Sequence, residues 1–409
     1  MTSPTGAIRL PTAATQSAGA APASGAAPDA CDTLRIAGMA LAHFVNDSYG
    51  QYLAILLPLL AISIGFDVGR ATIIVTAYTI TSSIIQPLLG HFADRHTTRL
   101  ISVLGLAAAA IGGSLLGISP NFLVLVLFAV LAGLGTAMYH PQAAAMVVAI
   151  AGRRKSTMMS FYLVGGSIGF ALGPKIVQWV ANRDLHATPL LMLPGLAMAL
   201  ALALLAPRGW APVRSGGESP SLWGVLRAHR RILSLLLGVV VLRSWTQLGV
   251  STFLPFYYSQ EYADHQYASN HAANVIAVFS LTGAFGGLLG GFLADRFGQK
   301  PVIVLSLIAA GPLLLVLPHV DGPALYLIAA ASGILLLSSW NVLTVKGQTL
   351  LSHNVGMASG LMLGFSIGLG GLGAIPLGFV GDQTGILPIL VFCALLAPLA
   401  GLLALRLPD

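Results

Sequence analysis

Charged side chains are scarce in this sequence: only 8% of its 409 residues are Asp, Glu, Lys or Arg, whereas 56% are hydrophobic. A soluble domain carries roughly 25% charged residues. Because so few polar side chains cannot cover a water-exposed surface, the composition predicts an integral membrane protein in contact with the lipid bilayer. The two cysteines, Cys31 and Cys393, are far apart in the chain, and we expect no disulfide between them.

Sequence patterns of catalytic and cofactor-binding sites are also missing. The chain has no GxxxxGKS/T phosphate-binding loop, no Cys and His spacing typical of a metal site, and no nucleophile elbow in its serine-rich stretches. We therefore expect no enzymatic activity, no cofactor and no bound metal. The net charge of +7 would suggest a nucleic-acid partner for a soluble protein. In a membrane protein it indicates topology instead, so we expect no nucleic-acid partner.

Twelve segments are long and apolar enough to cross a bilayer, which takes about 20 residues. They are residues 34–63, 71–93, 100–118, 121–149, 156–180, 187–206, 232–258, 270–294, 301–318, 322–347, 354–380 and 385–407. The longest polar interruption divides them into two sets of six. The sequence predicts a disordered cytoplasmic tail at residues 1–33 and a first six-helix bundle at 34–206. It predicts a cytoplasmic inter-bundle loop at 207–231 and a second six-helix bundle at 232–409.

The basic residues predict the orientation in the membrane. If the N-terminus is cytoplasmic, every Lys and Arg of the loops and tails lies on the cytoplasmic side except Arg70 and Arg183. Cytoplasmic loops carry an excess of basic residues. The sequence therefore predicts a multi-pass protein with both termini in the cytoplasm.

The two halves of the chain repeat each other. The sequence Gly90-His-Phe-Ala-Asp94-Arg95 follows segment 2, and Gly291-Phe-Leu-Ala-Asp295-Arg296 follows segment 8, 201 residues later. GGSIG at 165–169 in segment 5 likewise matches GFSIG at 364–368 in segment 11, 199 residues later. Paired six-helix repeats place a binding site near the bilayer midplane, between the halves.

Asp47 is the only acidic residue deep inside a predicted segment. His43, Asp47 and Gln51 recur every fourth residue and share one helix face. An ionisable residue within a membrane is costly and indicates a functional site. Arg243 lies about as deep in segment 7, so we expect it to pair with Asp47, which exchanges protons with His43 and His140 as relays. A static Asp47–Arg243 pair that fixes the two halves is the alternative.

Arg243 is also the candidate anion ligand, because its guanidinium can bind two oxygens of a phosphonate or carboxylate at once. Within the predicted segments, Arg243, Lys175 and Lys346 outnumber Asp47, which favours a small anionic substrate. Arg243 could instead serve only as the partner of Asp47, and Lys175 could extend to the membrane surface. Further candidate substrate-binding residues are Gln247, Trp245, Gln51, Asn46, Asn341, Lys346 and Tyr139.

The sequence GFLADRFGQK at 291–300 resembles the loop that the major facilitator superfamily carries after its second and eighth helices. The resemblance implies an all-α membrane protein with twelve transmembrane helices in two pseudo-symmetric six-helix bundles, acting as a monomer on a small-molecule substrate. The N-terminal copy, GHFADRHTTR, lacks the second glycine, so the geometry of its loop is less defined. The resemblance also implies a conformational gate that includes Gly90, Asp94, Arg95, Gly291, Asp295 and Arg296.

GGSIGFALGP at 165–174 resembles a motif of the antiporter branch of that superfamily and adds Gly169, Gly173 and Pro174 to the gate. Simple helix packing is the alternative explanation of these glycines. A narrower resemblance, to the fosmidomycin resistance protein family of proton-driven antibiotic exporters, rests on HFVNDSYGQYLAILLPLL, GLGTAMYHPQAAA and GLMLGFSIGLGGLGAIPLG. One departure is Phe128, which stands where drug exporters usually carry a buried arginine in helix 4.

The sequence thus predicts a proton-coupled antiporter that exports a small anionic or amphiphilic antibiotic, such as a fosmidomycin-like phosphonate, by alternating access. Proton-coupled import of a small organic anion is the alternative. A ligand sensor with a transporter fold is a third hypothesis. It should carry a sizeable soluble signalling region, and the longest loop and the 1–33 tail are too short for one.

Overall fold

The computed structural model describes residues 32–86, 89, 99–152, 155–207, 227, 230–350, 362, 364 and 366–408. Within these ranges the chain forms helices and no strand, as predicted. The helices of the first half are α1 (Thr33–Ile64), α2 (Val68–Thr79), α3 (Leu100–Leu115), α4 (Phe122–Ile150), α5 (Lys155–Ala181) and α6 (Met192–Leu205). Those of the second half are α7 (Arg230–Glu261), α8 (His265–Phe297), α9 (Gln299–Val316), α10 (Gly322–Leu350), α11 (Ser366–Thr384) and α12 (Ile386–Ala404).

Each of these helices overlaps one of the twelve predicted membrane segments, although α2 and α11 are described over only part of theirs. By length and composition, nine spans within the described residues can cross a membrane, and they comprise every helix except α2, α5 and α11. Helix α2 is described only through a π-helical turn at Ile80–Ile84, and α5 and α11 are rich in glycine. Helix α1 is interrupted at Gln51, which separates Thr33–Gly50 from Tyr52–Ile64.

Several of the few acidic residues begin helices at the ends of the bundle. Asp32 caps α1 by accepting a hydrogen bond from the backbone N–H of Arg35 at 3.1 Å, and Asp67 caps α2 through Arg70 at 2.7 Å. A side-chain oxygen at this position satisfies a backbone donor that has no partner within the helix. Asp47 differs from these residues, because it lies in the middle of α1 and caps nothing.

Helix α5 packs against α1 along glycines that the sequence assigned to the gate. A Cβ atom at Gly169 would overlap the carbonyl oxygen of Phe44, and one at Gly173 would lie 2.6 Å from that of Ser48. The buried Pro174 follows in the same helix. Small residues allow such close approach of membrane helices. In this structure the glycines therefore hold two helices of the same half together.

Replacing Gly169 by alanine is expected to destabilise the protein. The added Cβ meets backbone atoms of α1, which cannot rotate away as a side chain can, and such overpacking costs about 1–3 kcal/mol. The thermal unfolding temperature of the purified variant in detergent should therefore fall. Gly291→Ala is the matched control, because a Cβ at Gly291 has no atom within 4 Å. Equal unfolding temperatures for the two variants would contradict the tight α1–α5 contact.

Two pairs of helices make the most extensive contacts between the halves. Helix α2 packs along α11, and α5 packs along α8. Because α8 and α11 are the repeat counterparts of α2 and α5, the internal symmetry relates the two contacts. The α2–α11 contact consists largely of small groups: Thr76 donates a hydrogen bond to the carbonyl of Gly371 at 2.6 Å, and Thr72 lies against Gly378. These two contacts join the halves that alternating access would move.

Candidate functional site

Asp47 is held by two histidines. The Nε2 atom of His43, one helical turn earlier, lies 3.2 Å from its Oδ2, and Nε2 of His140 on α4 lies 3.1 Å from its Oδ1. The side-chain amide of Asn46 donates a hydrogen bond to Oδ1 at 3.0 Å. The Asp47 side chain is 18% exposed and that of His43 only 5%. The structure thus brings together the three residues that the sequence predicted for proton coupling, as one His43–Asp47–His140 cluster.

The hydrogen bonds of this cluster require two protons. Nδ1 of His43 lies 2.9 Å from the carbonyl oxygen of Tyr162, and Nδ1 of His140 lies 2.9 Å from that of Thr136. A carbonyl oxygen only accepts, so each Nδ1 carries a hydrogen. Each Nε2 then faces an Asp47 oxygen across a contact that needs a further proton, either on the imidazole or on the carboxyl group. With both protons present, the cluster carries a net charge of +1.

The cluster is also the group within the described residues that could hold a metal ion, since its donor atoms all lie within 4.8 Å of one another. Backbone carbonyls orient both imidazoles, as is usual for histidines that bind metals. The spacing of residues along the chain could not reveal this set, because His140 comes from α4 and the other two donors come from α1. A divalent cation would bring the same charge to the cluster as the two protons do.

Aromatic rings and one glycine enclose His43. Its ring stacks on that of Tyr162 with 4.1 Å between centroids, and the centroid of Tyr139 lies 6.1 Å away. A Cβ at Gly166 of α5 would lie 2.5 Å from the imidazole and 2.7 Å from Oδ2 of Asp47, so this position requires glycine. Tyr139, a predicted substrate ligand, therefore packs on the His43–Asp47–His140 cluster. Gly166 is a part of the site that the sequence did not indicate.

Arg243 on α7 forms a second site and is fully buried, with 0% of its surface exposed. Its Nη1 donates a hydrogen bond to Oε1 of Gln247 at 2.5 Å, and its guanidinium carbon lies 4.2 Å from the centre of the Trp340 ring on α10. Among the described residues, its Nε and Nη2 atoms have no hydrogen-bond partner. Because a buried cation without a counter-charge is costly, an anion that reached these two nitrogens would be bound strongly.

The predicted ion pair between Asp47 and Arg243 is wrong for this structure. Among the described residues, the ionisable partners of Asp47 are His43 and His140, and Arg243 has no acidic partner. Proximity explains the difference, because His43 lies one turn away on the same helix and α4 brings His140 to the other carboxylate oxygen. Arg243 instead bonds to Gln247 of its own helix.

Two of the other predicted substrate ligands point elsewhere. The indole Nε1 of Trp245 donates a hydrogen bond to the carbonyl of Leu369 at 3.0 Å, so this ring packs between α7 and α11. It lies on the opposite side of α7 from Arg243, since two residues turn a helix by about 200°. Asn341 is exposed on α10 and lies against Gly287 of α8. Gln51 and Lys346 are buried, at the interruption of α1 and in the last turns of α10.

The structure describes only one of the two predicted gate loops. Gly291, Asp295 and Arg296 lie in the last turns of α8, with both charged side chains exposed. Gly298 then ends the helix with a φ of 92°, a conformation that favours glycine. The second glycine of this loop therefore has a structural reason. The N-terminal counterparts lie outside the described residues, and they are Gly90, Asp94 and Arg95.

Hydrogen bonds between the halves close the end of the bundle at which α1, α5 and α7 terminate, called here the outer end. The carboxylate of Asp382 in α11 accepts from the backbone N–H groups of Val68 and Gly69, each at 2.8 Å, and so caps α2. Gln266 of α8 donates to the carbonyl of Asn182, which follows α5, at 2.8 Å. Opening the outer end requires both connections to break.

Asp382→Ala is expected to favour opening of the outer end. Loss of a helix cap costs about 0.5–2 kcal/mol, which shifts a two-state equilibrium by about 2- to 30-fold. A cysteine placed at the buried Thr72, in a chain without its native cysteines, should then react faster with a membrane-impermeant thiol reagent. Asp321→Ala, which removes an acid from the same end, is the matched control. Equal labelling in both variants would contradict a role for Asp382 in closure.

Known proteins are similar to this chain over most of its length. Residues 39–360 match the family model described as Major Facilitator Superfamily. The MFS-type transporter YfnC of Bacillus subtilis is 31% identical over 381 residues, which cover 90% of this chain and 91% of YfnC. The Fosmidomycin resistance protein of Escherichia coli is 28% identical over 380 residues, which cover 91% of this chain and 92% of that protein.

Solved transporter structures share the fold. An inward-facing bacterial homolog of the human lysosomal transporter Spinster superimposes with a TM-score of 0.72 at 14% identity, over 93% of this chain and 97% of that one. The nucleoside transporter NupG superimposes with a TM-score of 0.70 at 15% identity, over 91% of this chain and 98% of that one. The predicted architecture of twelve transmembrane helices in two pseudo-symmetric bundles is confirmed.

Proposed function

Because the chain belongs to the major facilitator superfamily, we propose that it is a proton-coupled antiporter that exports a small anionic or amphiphilic toxic compound. Fosmidomycin-like phosphonates are the substrate class we favour. The relatives are transporters, so the chain is a transporter and not an enzyme. The observation that carries the proposal is the buried Arg243, whose Nε and Nη2 atoms find no hydrogen-bond partner in the part of the chain that the structure describes.

An anionic group on the substrate would relieve the cost of burying Arg243. The guanidinium keeps its charge at any physiological pH, and it binds the oxygens of phosphonate, phosphate or carboxylate groups with paired hydrogen bonds. The Trp340 ring covers one face of the planar guanidinium, which limits competition from water. These features support a binding site for an oxyanion on the C-terminal half.

The His43–Asp47–His140 cluster supports proton coupling. Without its two protons, two imidazole lone pairs would face a carboxylate at 3.1 and 3.2 Å, which is electrostatically unfavourable. The tight packing around His43 and Gly166 keeps the imidazole and the carboxylate in contact, so the protonated state of the cluster is favoured. We propose that an empty carrier reorients only when the cluster is protonated, and that this requirement links transport to the proton gradient.

Export follows from an ordered cycle on one carrier. Protons would reach the cluster from outside, and the protonated carrier would turn inward and release them to the cytoplasm. The anion would then bind at Arg243, and the loaded carrier would turn outward. The name of the 28% identical relative, Fosmidomycin resistance protein, supports this direction. The same relative supports a fosmidomycin-like phosphonate as the substrate class.

The proposed moving parts are the two predicted bundles, residues 34–206 and 232–409, connected by the cytoplasmic loop 207–231. They would rock against each other at the α2–α11 and α5–α8 contacts. We further propose a monomer in a bacterial inner membrane with both termini in the cytoplasm, as the distribution of basic residues indicates.

Proton-coupled import of a small organic anion is the second candidate, and the charge of the cluster favours it. The doubly protonated cluster carries +1 and Arg243 adds another positive charge. An anion that binds while both charges are present neutralises part of this excess, so protons and anion would travel together. Import and export differ in the direction in which the substrate accumulates.

Accumulation of fosmidomycin in sensitive bacterial cells that express the protein tests the direction. An exporter lowers the cellular level of the compound and raises the concentration that the cells tolerate, and a protonophore abolishes both effects. Cells with the empty vector are the reference. Higher accumulation together with lower tolerance would contradict export and support import.

A further inference from the structure

The anion site and the proton cluster are counterparts in the internal repeat. His43 and Asp47 lie one turn apart on α1, and Arg243 and Gln247 lie one turn apart on α7, each 200 residues later. An aromatic residue lies near the basic residue in both halves: the ring centroid of Tyr139 is 6.1 Å from that of His43, and Trp340, 201 residues after Tyr139, covers the guanidinium of Arg243. The two halves therefore place corresponding residues together: a basic residue, a partner one turn later and an aromatic residue from α4 or α10.

One difference between the counterparts concerns charge. In the N-terminal half the partner is the carboxylate of Asp47, which contacts His43 directly. In the C-terminal half the partner is the amide of Gln247, which accepts a hydrogen bond from Arg243 Nη1 but brings no negative charge. Among the described residues, no acidic side chain contacts Arg243. The C-terminal half thus lacks the one negative charge that its counterpart has.

The contacts of Arg243 also decide which part of its guanidinium is free. A guanidinium can bind two oxygens through its Nη1/Nη2 end or through its Nε/Nη2 side. Gln247 occupies Nη1, and Trp340 covers one face. The two nitrogens without partners, Nε and Nη2, belong to the same side of the group. This side is the part that remains for a ligand.

We propose that Gln247 and Trp340 are positioning residues that direct the Nε/Nη2 side of Arg243 toward the substrate, and that this side binds a headgroup with two oxygens. Phosphonate, phosphate and carboxylate groups fit, and their charge replaces the carboxylate that the C-terminal half lacks. This inference rests on the proposed role of Arg243 in substrate binding. It adds the docking side of the guanidinium and the residues that select it.

Gln247→Glu provides a sharp test, because it rebuilds in the C-terminal half the cation–carboxylate pair of the N-terminal half. The new carboxylate would hold and neutralise Arg243, so anion binding should weaken by about tenfold or more. The folded protein should keep its thermal unfolding temperature or gain in stability, since a buried charge acquires a partner. Gln247→Met, of similar length and uncharged, frees Nη1 and should weaken binding less.

Equilibrium binding to the purified protein in detergent is the measurement, with fosmidomycin as the probe and methylphosphonate, acetate and acetamide as competitors. Methylphosphonate and acetate should compete, whereas the neutral acetamide should not. Trp340→Phe keeps a ring under Arg243 and should bind nearly as tightly as the parent protein. Trp340→Leu removes the ring and should bind several-fold more weakly, at an unchanged unfolding temperature.

Unchanged affinity in Gln247→Glu, or equal affinities in Trp340→Phe and Trp340→Leu, would overturn the inference. So would the absence of binding by every two-oxygen competitor. Because the assay uses no membrane gradient, its outcome is separate from that of export. A protein that binds as described but moves no fosmidomycin outward would contradict the proposed function and leave the docking geometry standing.

Discussion

Cells that express Arg243→Ala are expected to tolerate no more fosmidomycin than cells with the empty vector. The substitution removes a buried cation whose Nε and Nη2 donors have no hydrogen-bond partner among the described residues. Loss of one partner from a buried, hydrogen-bonded charge pair costs about 2–5 kcal/mol, so affinity should fall by about 30-fold or more. The minimum inhibitory concentration and equilibrium binding to the purified variant measure the two effects.

Arg243→Lys is the matched control for charge. Lysine keeps the positive charge but has no planar fork, so it cannot bind two oxygens side by side. We expect binding between that of the parent protein and that of Arg243→Ala. Full protection of cells by Arg243→Ala, at normal expression levels, would contradict an anion site at this residue.

Asp47→Asn is expected to uncouple transport from the proton gradient. Asparagine keeps the shape of the side chain and can still contact both histidines, but its amide cannot hold the proton that the carboxylate shares with them. Net export driven by a pH gradient should fall to background in reconstituted vesicles. Exchange of substrate across the membrane without a gradient should persist, because the Arg243 site is unchanged.

Asp67→Asn is the matched control for this prediction. It makes the same chemical change at an acid that caps α2 at the outer end and lies outside the cluster. Gradient-driven export should survive in this variant. If Asp47→Asn retained full gradient-driven export, or if both variants lost it equally, the assignment of proton coupling to Asp47 would be wrong.

The overall fold could be predicted from the sequence because it depends on features that are local or periodic. The length of an apolar run decides whether a segment can span the bilayer, and the repeated GHFADR and GFLADR sequences reveal the two halves. The close packing of a helix at Gly169 was also indicated by the regular spacing of glycines in GGSIGFALGP. That these glycines join α5 to α1 rather than the two halves depended on which helices are neighbours.

The central acid and the two histidines near it could be predicted as well, but the sequence did not show that these histidines, rather than Arg243, pair with the carboxylate. Asp47 stands out because no other acid is predicted deep in the membrane, and His43 follows from the helical period. The equal depth of Arg243 suggested a pair, whereas the rotation and packing of α1 and α4 give the carboxylate to His140. Depth along a helix follows from residue counts, but the direction in which a side chain points depends on tertiary contacts.

Two further residues show what limits prediction from one sequence. Trp340 was not selected, although its position 201 residues after Tyr139 was a usable signal in the repeat. Asp382 gave no signal, because its role is to cap a helix of the other half. An acid near the end of a glycine-rich helix looks the same in sequence whether it faces solvent or another helix.

Proton flux through the purified protein in lipid vesicles tests the central claim most directly. An outward-directed fosmidomycin gradient is imposed at equal pH on both sides, and a trapped pH indicator follows the lumen. Proton–substrate exchange predicts that the lumen acidifies as the compound leaves, and that Asp47→Asn shows no such change. Alkalinisation of the lumen, which means that protons leave with the compound, or an unchanged lumenal pH during substrate efflux, would contradict it.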